Sequence, residues 1–238
     1  MLLPVIYFLP HTQFTQAKLL NVIVVAIIMT TAVLCFFKTL EKGNAAVNGT
    51  IAASFSFITV LISIFFFNEK PNPLQLVAIL IVISGVIITS FDFRNFNAIH
   101  LREKNIIYAF IAMILWGIHY AVVKIPSREL GWFWPAFFAR VAVIIYLPYF
   151  LQKKISFEKV KGFKSFGILI ATAILPTLGD FTYSAGVIIS NTSLFAPVAA
   201  SSPIIFVLLA SWWFKDKISK IQKIGITLTL AGIILLGL

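Results

Sequence analysis

Eight runs of about 20 mostly apolar residues follow one another along this 238-residue chain, and they constrain its fold more than any other feature. Each run is long enough to cross the hydrocarbon core of a bilayer as a helix that rises about 1.5 Å per residue. The runs lack the apolar–polar alternation that a membrane β-barrel needs. The sequence therefore predicts an all-α, polytopic membrane helix bundle. The predicted spans are residues 18–38, 44–67, 72–91, 105–125, 133–152, 163–188, 193–214 and 219–238.

The composition agrees with a location in lipid. Hydrophobic residues make up 60% of the chain and charged residues 11%, which is too little polar surface for a soluble protein of this size. The net charge of +11 comes from Lys and Arg in the short connections between spans, so we expect contact with the bilayer surface and no nucleic-acid partner. Cys35 has no partner for an internal disulfide, and no Cys/His cluster indicates a metal or another cofactor.

The middle of the chain recurs 147 residues later. Residues 43–87 match residues 190–234 at roughly a dozen identical positions, a spacing typical of duplicated folds. The identities include Asn44 with Asn191, Ala52-Ala53-Ser54 with Ala199-Ala200-Ser201, Gln75 with Gln222 and Gly85 with Gly232. A duplicated set of spans favours a transporter whose two halves form one site.

The two copies are unequal in length. Residues 105–238 form a complete repeat of five spans, residues 92–104 a linker, and residues 1–91 an incomplete repeat of three spans. The apolar stub at residues 1–9 resembles the end of the span at residues 133–152. With five helices per unit, the two copies would have opposite orientations in the membrane and form an inverted repeat.

Two stretches carry a specific resemblance. Residues 115–124 and 134–140 resemble the first two helices of an EamA-type domain of the drug/metabolite transporter (DMT) superfamily, in which a Trp-Gly pair, a Lys near the helix end and an Arg in the next helix recur. The later pattern also fits this family, with Ala196, Pro197, Ala200, Pro203, the turn Asp216-Lys217, Gly225 and Gly232. The resemblance covers about residues 18–238, and by this comparison we expect the chain to lack the family's first helix and most of its second.

This resemblance implies a multi-pass permease of the bacterial inner membrane, not an enzyme. Its cargo would be an amino acid, another metabolite or a lipophilic cation, moved by alternating access with proton coupling or exchange. A phosphate-binding loop ending in Gly-Lys-Ser/Thr is absent from the sequence, which argues against ATP hydrolysis. The expected partners are the bilayer, the solute and, as a further candidate, a second copy of the chain. The alternative is a non-transporting fragment or a partner subunit.

Asp180 and Arg140 are the first site candidates, because charges within membrane spans are costly and need a partner or a water-filled cavity. Asp180 follows Pro176, which can open helical backbone groups to a cavity, and is a candidate for binding a proton or a substrate amine. Arg140 could hold a substrate carboxylate or pair with Asp180 as a structural lock. The two roles of Arg140 are compatible, since a pair that opens on solute binding would gate the path.

Three polar or aromatic side chains share a helix face, since His119 and Tyr120 follow Trp116 by three and four residues. They form a candidate wall for a flat or cationic solute, with His119 able to titrate near neutral pH, or else they pack between helices. Lys124 follows one turn later, and its expected role is to extend towards the headgroups.

Asn44 and Asn191 begin equivalent helices, where each Asn can cap the first turn and leave backbone N–H groups available to a solute. Pro176, Pro197 and Pro203 are candidates for helix bending during transport.

The orientation in the membrane is left open by the sequence. Thirteen Lys and Arg residues fall in connections on one side of the predicted bundle and four on the other, which places the C-terminus outside the cytoplasm. The usual topology of the EamA family implies the reverse.

Overall fold

The computed structural model describes residues 13–40, 45–90, 104–146, 148, 163–214 and 218–237. Every regular element in these ranges is helical, and this confirms the all-α membrane bundle. The predicted stub at residues 1–9, Asn44, Asp216 and residues 91–103 lie outside the described residues.

The described part contains eleven α-helices. They are α1 (Gln16–Leu40), α2 (Ala45–Ala53), α3 (Phe55–Phe66), α4 (Pro73–Ser90), α5 (Lys104–Val122), α6 (Lys124–Leu130), α7 (Phe133–Val141), α8 (Phe163–Ile189), α9 (Thr192–Ala199), α10 (Ser202–Phe214) and α11 (Lys220–Leu236). A 3₁₀ turn, Ala142–Tyr146, continues α7.

Four helical segments within the described ranges are long and apolar enough to cross a membrane, by length and composition alone. These segments are Gln16–Leu40, Pro73–Ser90, Ile106–Leu130 and Ile170–Ile189. The fourth predicted span is longer than expected, because α5 passes through a single turn residue, Val123, directly into α6. The chain is thus an integral, multi-pass membrane protein.

Two spans that the sequence predicts as continuous helices are each broken, and at equivalent positions. The break between α2 and α3 lies at Ser54, and the break between α9 and α10 lies at Ala200-Ser201. Ser54 N–H donates to the Ile51 carbonyl at 3.1 Å, and Ser201 N–H to the Val198 carbonyl at 3.1 Å. Both are i→i+3 bonds of the 3₁₀ type, which tighten the helix locally and interrupt the α-helical pattern. The matched small-residue triplets thus mark a shared helix break.

The starts of α4 and α11 are also equivalent. Asn72 and Gln75 exchange side-chain-to-backbone hydrogen bonds of 3.0 and 2.8 Å, and Ser219 and Gln222 exchange bonds of 3.0 and 3.1 Å. Each pair is a capping box, which satisfies two N–H groups that a helix start leaves without partners. The match of Gln75 with Gln222 in the sequence repeat follows from this shared role.

Helices α4 and α11 pack antiparallel at glycine positions. A Cβ atom added to Gly85 would lie 2.6 Å from the Thr229 nitrogen, and one added to Gly232 would lie 2.9 Å from the Val82 nitrogen. In the sequence repeat, Gly85 matches Gly232 and Val82 matches Thr229. The contact of Gly85 with Thr229 is therefore equivalent to the contact of Gly232 with Val82. Two antiparallel helices with exchanged contacts are related by a twofold axis perpendicular to them. For helices that cross a bilayer this axis lies in the membrane plane, as in an inverted repeat.

The chain divides into two compact units. The first contains residues 13–30 and 123–189 of the described chain, and the second contains residues 31–122 and 190–237. Each unit combines segments from both sequence repeats, so the compact units and the repeats are different divisions of the chain. The predicted repeat boundaries at residues 91 and 105 stay a prediction.

Candidate functional site

The first unit contains an ion pair between neighbouring helices. Arg140 of α7 donates from Nη2 to Oδ2 of Asp180 on α8. The Asp180 side chain is 10% exposed and the Arg140 side chain 31%, so the carboxylate is enclosed while the guanidinium keeps an accessible edge. Of the two arrangements that the sequence allowed for Arg140, the structure contains the pair with Asp180.

The chain neighbours of Arg140 and Asp180, which are Ala139 and Phe181, each contact another helix. Thr30 of α1 donates to the carbonyl of Ala139 at 3.1 Å, which ties the backbone next to Arg140 to the first helix. Phe181, which follows Asp180, stacks on Phe133 with ring centroids 5.5 Å apart and an interplanar angle of 12°. The geometry of the ion pair thus depends on three helices of the first unit.

The guanidinium has donors beyond the one used for Asp180. The Arg140 Nε atom is buried and has no hydrogen-bond partner among the described residues. A guanidinium carries five N–H donors in a planar fork that matches a carboxylate. Pro176, inside α8 and one turn before Asp180, removes one helical hydrogen bond there. Arg140 therefore has an N–H donor that neither Asp180 nor another described residue uses.

An aromatic cluster in the second unit contains two of the predicted residues. Trp116 and Tyr120 of α5 meet Phe36 of α1 and Phe55 of α3, with centroid distances of 5.1 Å for Trp116–Phe36 and 4.8 Å for Tyr120–Phe55. Trp116 Nε1 is buried without a hydrogen-bond partner among the described residues. Because a buried indole N–H usually has a partner, this donor is available to an acceptor that enters the cluster.

His119 is buried beside this cluster, with its ring 5.0 Å from that of Tyr120. Gly117 explains how α5 comes so close to α3: a Cβ atom there would lie 2.5 Å from the Ile58 Cβ. Thr59 also donates to the Gly117 carbonyl at 3.0 Å. The Trp-Gly pair of the sequence thus combines an aromatic wall with a close helix crossing, a role of Gly117 that its sequence context alone did not reveal.

Lys124 is the first residue of α6 and is only 8% exposed. The sequence predicted a side chain extended to the headgroups, which would keep its amine accessible. The burial of Lys124 differs from that expectation, because a side chain that reaches the headgroups would be exposed.

Asn191 occupies the N-cap position of α9, as expected, but its side chain makes no capping hydrogen bond. Glu69, from the connection between α3 and α4, caps this helix: its carboxylate accepts the Thr192 and Ser193 N–H groups at 3.0 and 2.7 Å. A carboxylate is favoured over an amide here because a helix N-terminus is electropositive. Sequence reasoning missed Glu69, although its match with the acidic Asp216 in the repeat was a signal.

Two of the three proline candidates lie in the broken helices, whereas Pro176 lies inside the continuous helix α8. Pro197 is inside α9, and Pro203 is in the first turn of α10, where a missing N–H costs little. The break at Ala200-Ser201 lies between them. Within the described residues, no group of three or more His, Cys, Asp or Glu side chains could hold a metal ion.

Comparison with known proteins identifies a family. The model of the EamA-like transporter family matches residues 1–91 and 103–238. None of the curated proteins matches the sequence. A solved crystal structure aligns with this chain at a TM-score of 0.69 and 14% identity, over 92% of this chain and 87% of that one. At this identity the likeness shows a shared fold.

Proposed function

The chain belongs to the EamA-like transporter family, and we propose that it is a permease that moves a small organic solute across the bacterial inner membrane by alternating access. Membership makes it a membrane transporter of the DMT superfamily. The solute class, the coupling and the roles of individual residues are the proposal.

The Arg140–Asp180 ion pair is the observation that carries this proposal. A solute carboxylate or carbonyl approaches the accessible edge of the Arg140 guanidinium, and the buried Nε becomes a second donor once the side chain moves. Binding weakens the bond between the two charges and makes the Asp180 carboxylate available to a solute amine or a proton. Since isolated charges in a membrane are costly, the pair re-forms when the solute leaves, and this favours alternation between two states.

The arrangement supports an amino acid as cargo, because one cation and one carboxylate complement the two charges of a zwitterion. Considered by itself, the aromatic cluster of the second unit is suited to a flat apolar or cationic group, by stacking or cation–π attraction. Either a proton gradient or exchange against a second solute is a suitable driving force.

Counterflow in proteoliposomes tests the proposal. The 238-residue chain is assayed with radiolabelled phenylalanine, lysine, glutamate and tetraphenylphosphonium, with protein-free liposomes as the baseline. We expect Arg140→Ala and Asp180→Asn to lose transport of the accepted probe. The matched controls Arg128→Ala and Glu129→Gln, which alter exposed charges, should retain it.

The charge swap Arg140→Asp/Asp180→Arg separates binding from structure. A single neutralisation leaves one charge unpaired and should lower the unfolding free energy by about 2 kcal/mol, less than for a fully buried pair because Arg140 is part exposed. The swap should recover much of that stability but not transport. Transport that survives both single substitutions would contradict the site, and no transport of any probe would favour a non-transporting partner subunit.

A further inference from the structure

Glu69 belongs to the second unit, whereas the Arg140–Asp180 ion pair belongs to the first. Glu69 is only 7% exposed. Its Oε1 accepts the Thr192 N–H and its Oε2 the Ser193 N–H, so each oxygen has a backbone partner in the first turn of α9. The Glu69 N–H donates to the Ser63 carbonyl at 3.2 Å. These contacts place the carboxylate inside the second unit, between α3 and α9.

Three residues that contact Glu69 through their backbones carry hydroxyl groups. Ser63, Thr192 and Ser193 are 0% exposed, and their hydroxyl oxygens have no hydrogen-bond partner among the described residues. The Oγ of Ser or Thr lies within about 4 Å of its own backbone nitrogen, by bond lengths and rotamers. The Thr192 and Ser193 hydroxyls therefore lie close to the carboxylate that their N–H groups contact. Unpaired buried hydroxyls are rare, so these three groups have hydrogen-bonding capacity that the described residues do not use.

The helices around Glu69 have little charge. α3, α4 and α9 contain no ionisable residue. In apolar surroundings an ionised carboxylate is costly, and the two N–H donors and the α9 dipole offset part of this cost. The ionisable residues of the neighbouring segments are Lys70, which is exposed, Lys104 and His119 of α5, and Lys220 and Lys223 of α11.

We propose that Glu69 binds the proton that couples solute movement to a proton gradient, an inference that rests on the proposed transport function. In the ionised state its two oxygens accept the Thr192 and Ser193 N–H groups. Uptake of a proton from water forms a carboxyl O–H, which donates to the hydroxyl oxygen of Thr192 or Ser193, and the charge of the side chain changes from −1 to 0. The neutral carboxyl is a weaker acceptor, so protonation loosens the contact with α9, and loss of the proton restores it.

Two assays on the same proteoliposomes test the coupling. Glu69→Gln imitates the neutral carboxyl, so it should retain counterflow, which needs no gradient, and lose accumulation driven by a pH gradient. The matched control Glu129→Gln removes an exposed carboxylate and should retain both. Gradient-driven accumulation that persists in Glu69→Gln would overturn the proposal, as would accumulation by the unaltered chain that follows a sodium gradient alone.

Infrared difference spectra between acidic and alkaline buffer test proton binding without transport. The unaltered chain should show a protonated carboxyl band that is absent from Glu69→Gln. Thr192→Val keeps the N–H donor and removes one hydroxyl, so it should shift the frequency or pH midpoint of this band, which a purely structural cap would not do. Identical spectra for all three proteins would overturn the inference. If the unaltered chain shows the Glu69 band but transports none of the probes, proton binding by Glu69 is supported. The proposed transport function is then overturned.

Discussion

Two of the predicted site residues have a hydrogen-bonding group that no described residue uses. Arg140 Nε and Trp116 Nε1 are buried donors without a partner among the described residues, in the first and second units respectively. Leaving such groups unpaired costs about 1–3 kcal/mol each. Under the proposed function, both donors would bind acceptor groups of the solute.

Trp116→Phe tests the indole donor, since it keeps an aromatic ring and removes the N–H. We expect the affinity for an accepted solute to fall by about tenfold, the equivalent of one hydrogen bond of about 1.4 kcal/mol. The unfolding free energy should change little, because no protein hydrogen bond is lost. Counterflow as a function of solute concentration and thermal unfolding in detergent provide the two measurements.

Trp132→Phe is the control, because this exposed tryptophan lies in the aromatic group of the first unit. Equal losses of affinity in the two variants, or a large loss of stability in Trp116→Phe alone, would show that Trp116 acts through packing.

At the level of helices, the two sequence repeats share three structural features: a helix break, a capping box and a close helix crossing. Ser54 and Ser201 break the paired spans, and capping boxes begin α4 and α11. Glycines allow α4 and α11 to approach closely, which matters in lipid because apolar side chains gain little by leaving the acyl chains.

Gly85→Ala should therefore destabilise the protein. The added methyl group would lie 2.8 Å from the Gly225 carbonyl, and such overpacking costs about 1–3 kcal/mol. Gly167→Ala in α8 is the matched control, since nothing lies within 4 Å of its Cβ position, and it should be neutral or stabilising. Thermal unfolding in detergent compares the two, and equal midpoints would contradict the close crossing.

At the scale of the whole molecule, the antiparallel contact of α4 with α11 makes a prediction that does not depend on the orientation of the chain. The starts of the two helices face opposite sides of the membrane. In a Cys35→Ala background, Lys70→Cys and Lys220→Cys should react with an impermeant maleimide from opposite sides of sealed cells. Both lysines are exposed, so they form a matched pair. Labelling of both from the same side would exclude the inverted repeat.

The sequence by itself determined the membrane location, the helical class, the duplication and the family. Each of these depends on the length, hydropathy and order of segments, which are local properties of the chain. The resemblance at Trp116-Gly117 and Arg140 is confirmed by the family match over residues 1–91 and 103–238. The roles of the predicted site residues in transport stay predictions.

Only the tertiary structure decided which polar groups meet. Arg140 and Asp180 are separated by 40 residues, and Glu69 caps α9 from 123 residues away. Such contacts depend on the rotation and crossing of packed helices, which the apolar pattern of a membrane span leaves open because nearly every face of the helix is apolar. For the same reason, sequence analysis predicted that the adjacent residue Asn191 caps α9. In the folded protein the cap is the carboxylate of Glu69, from the other repeat.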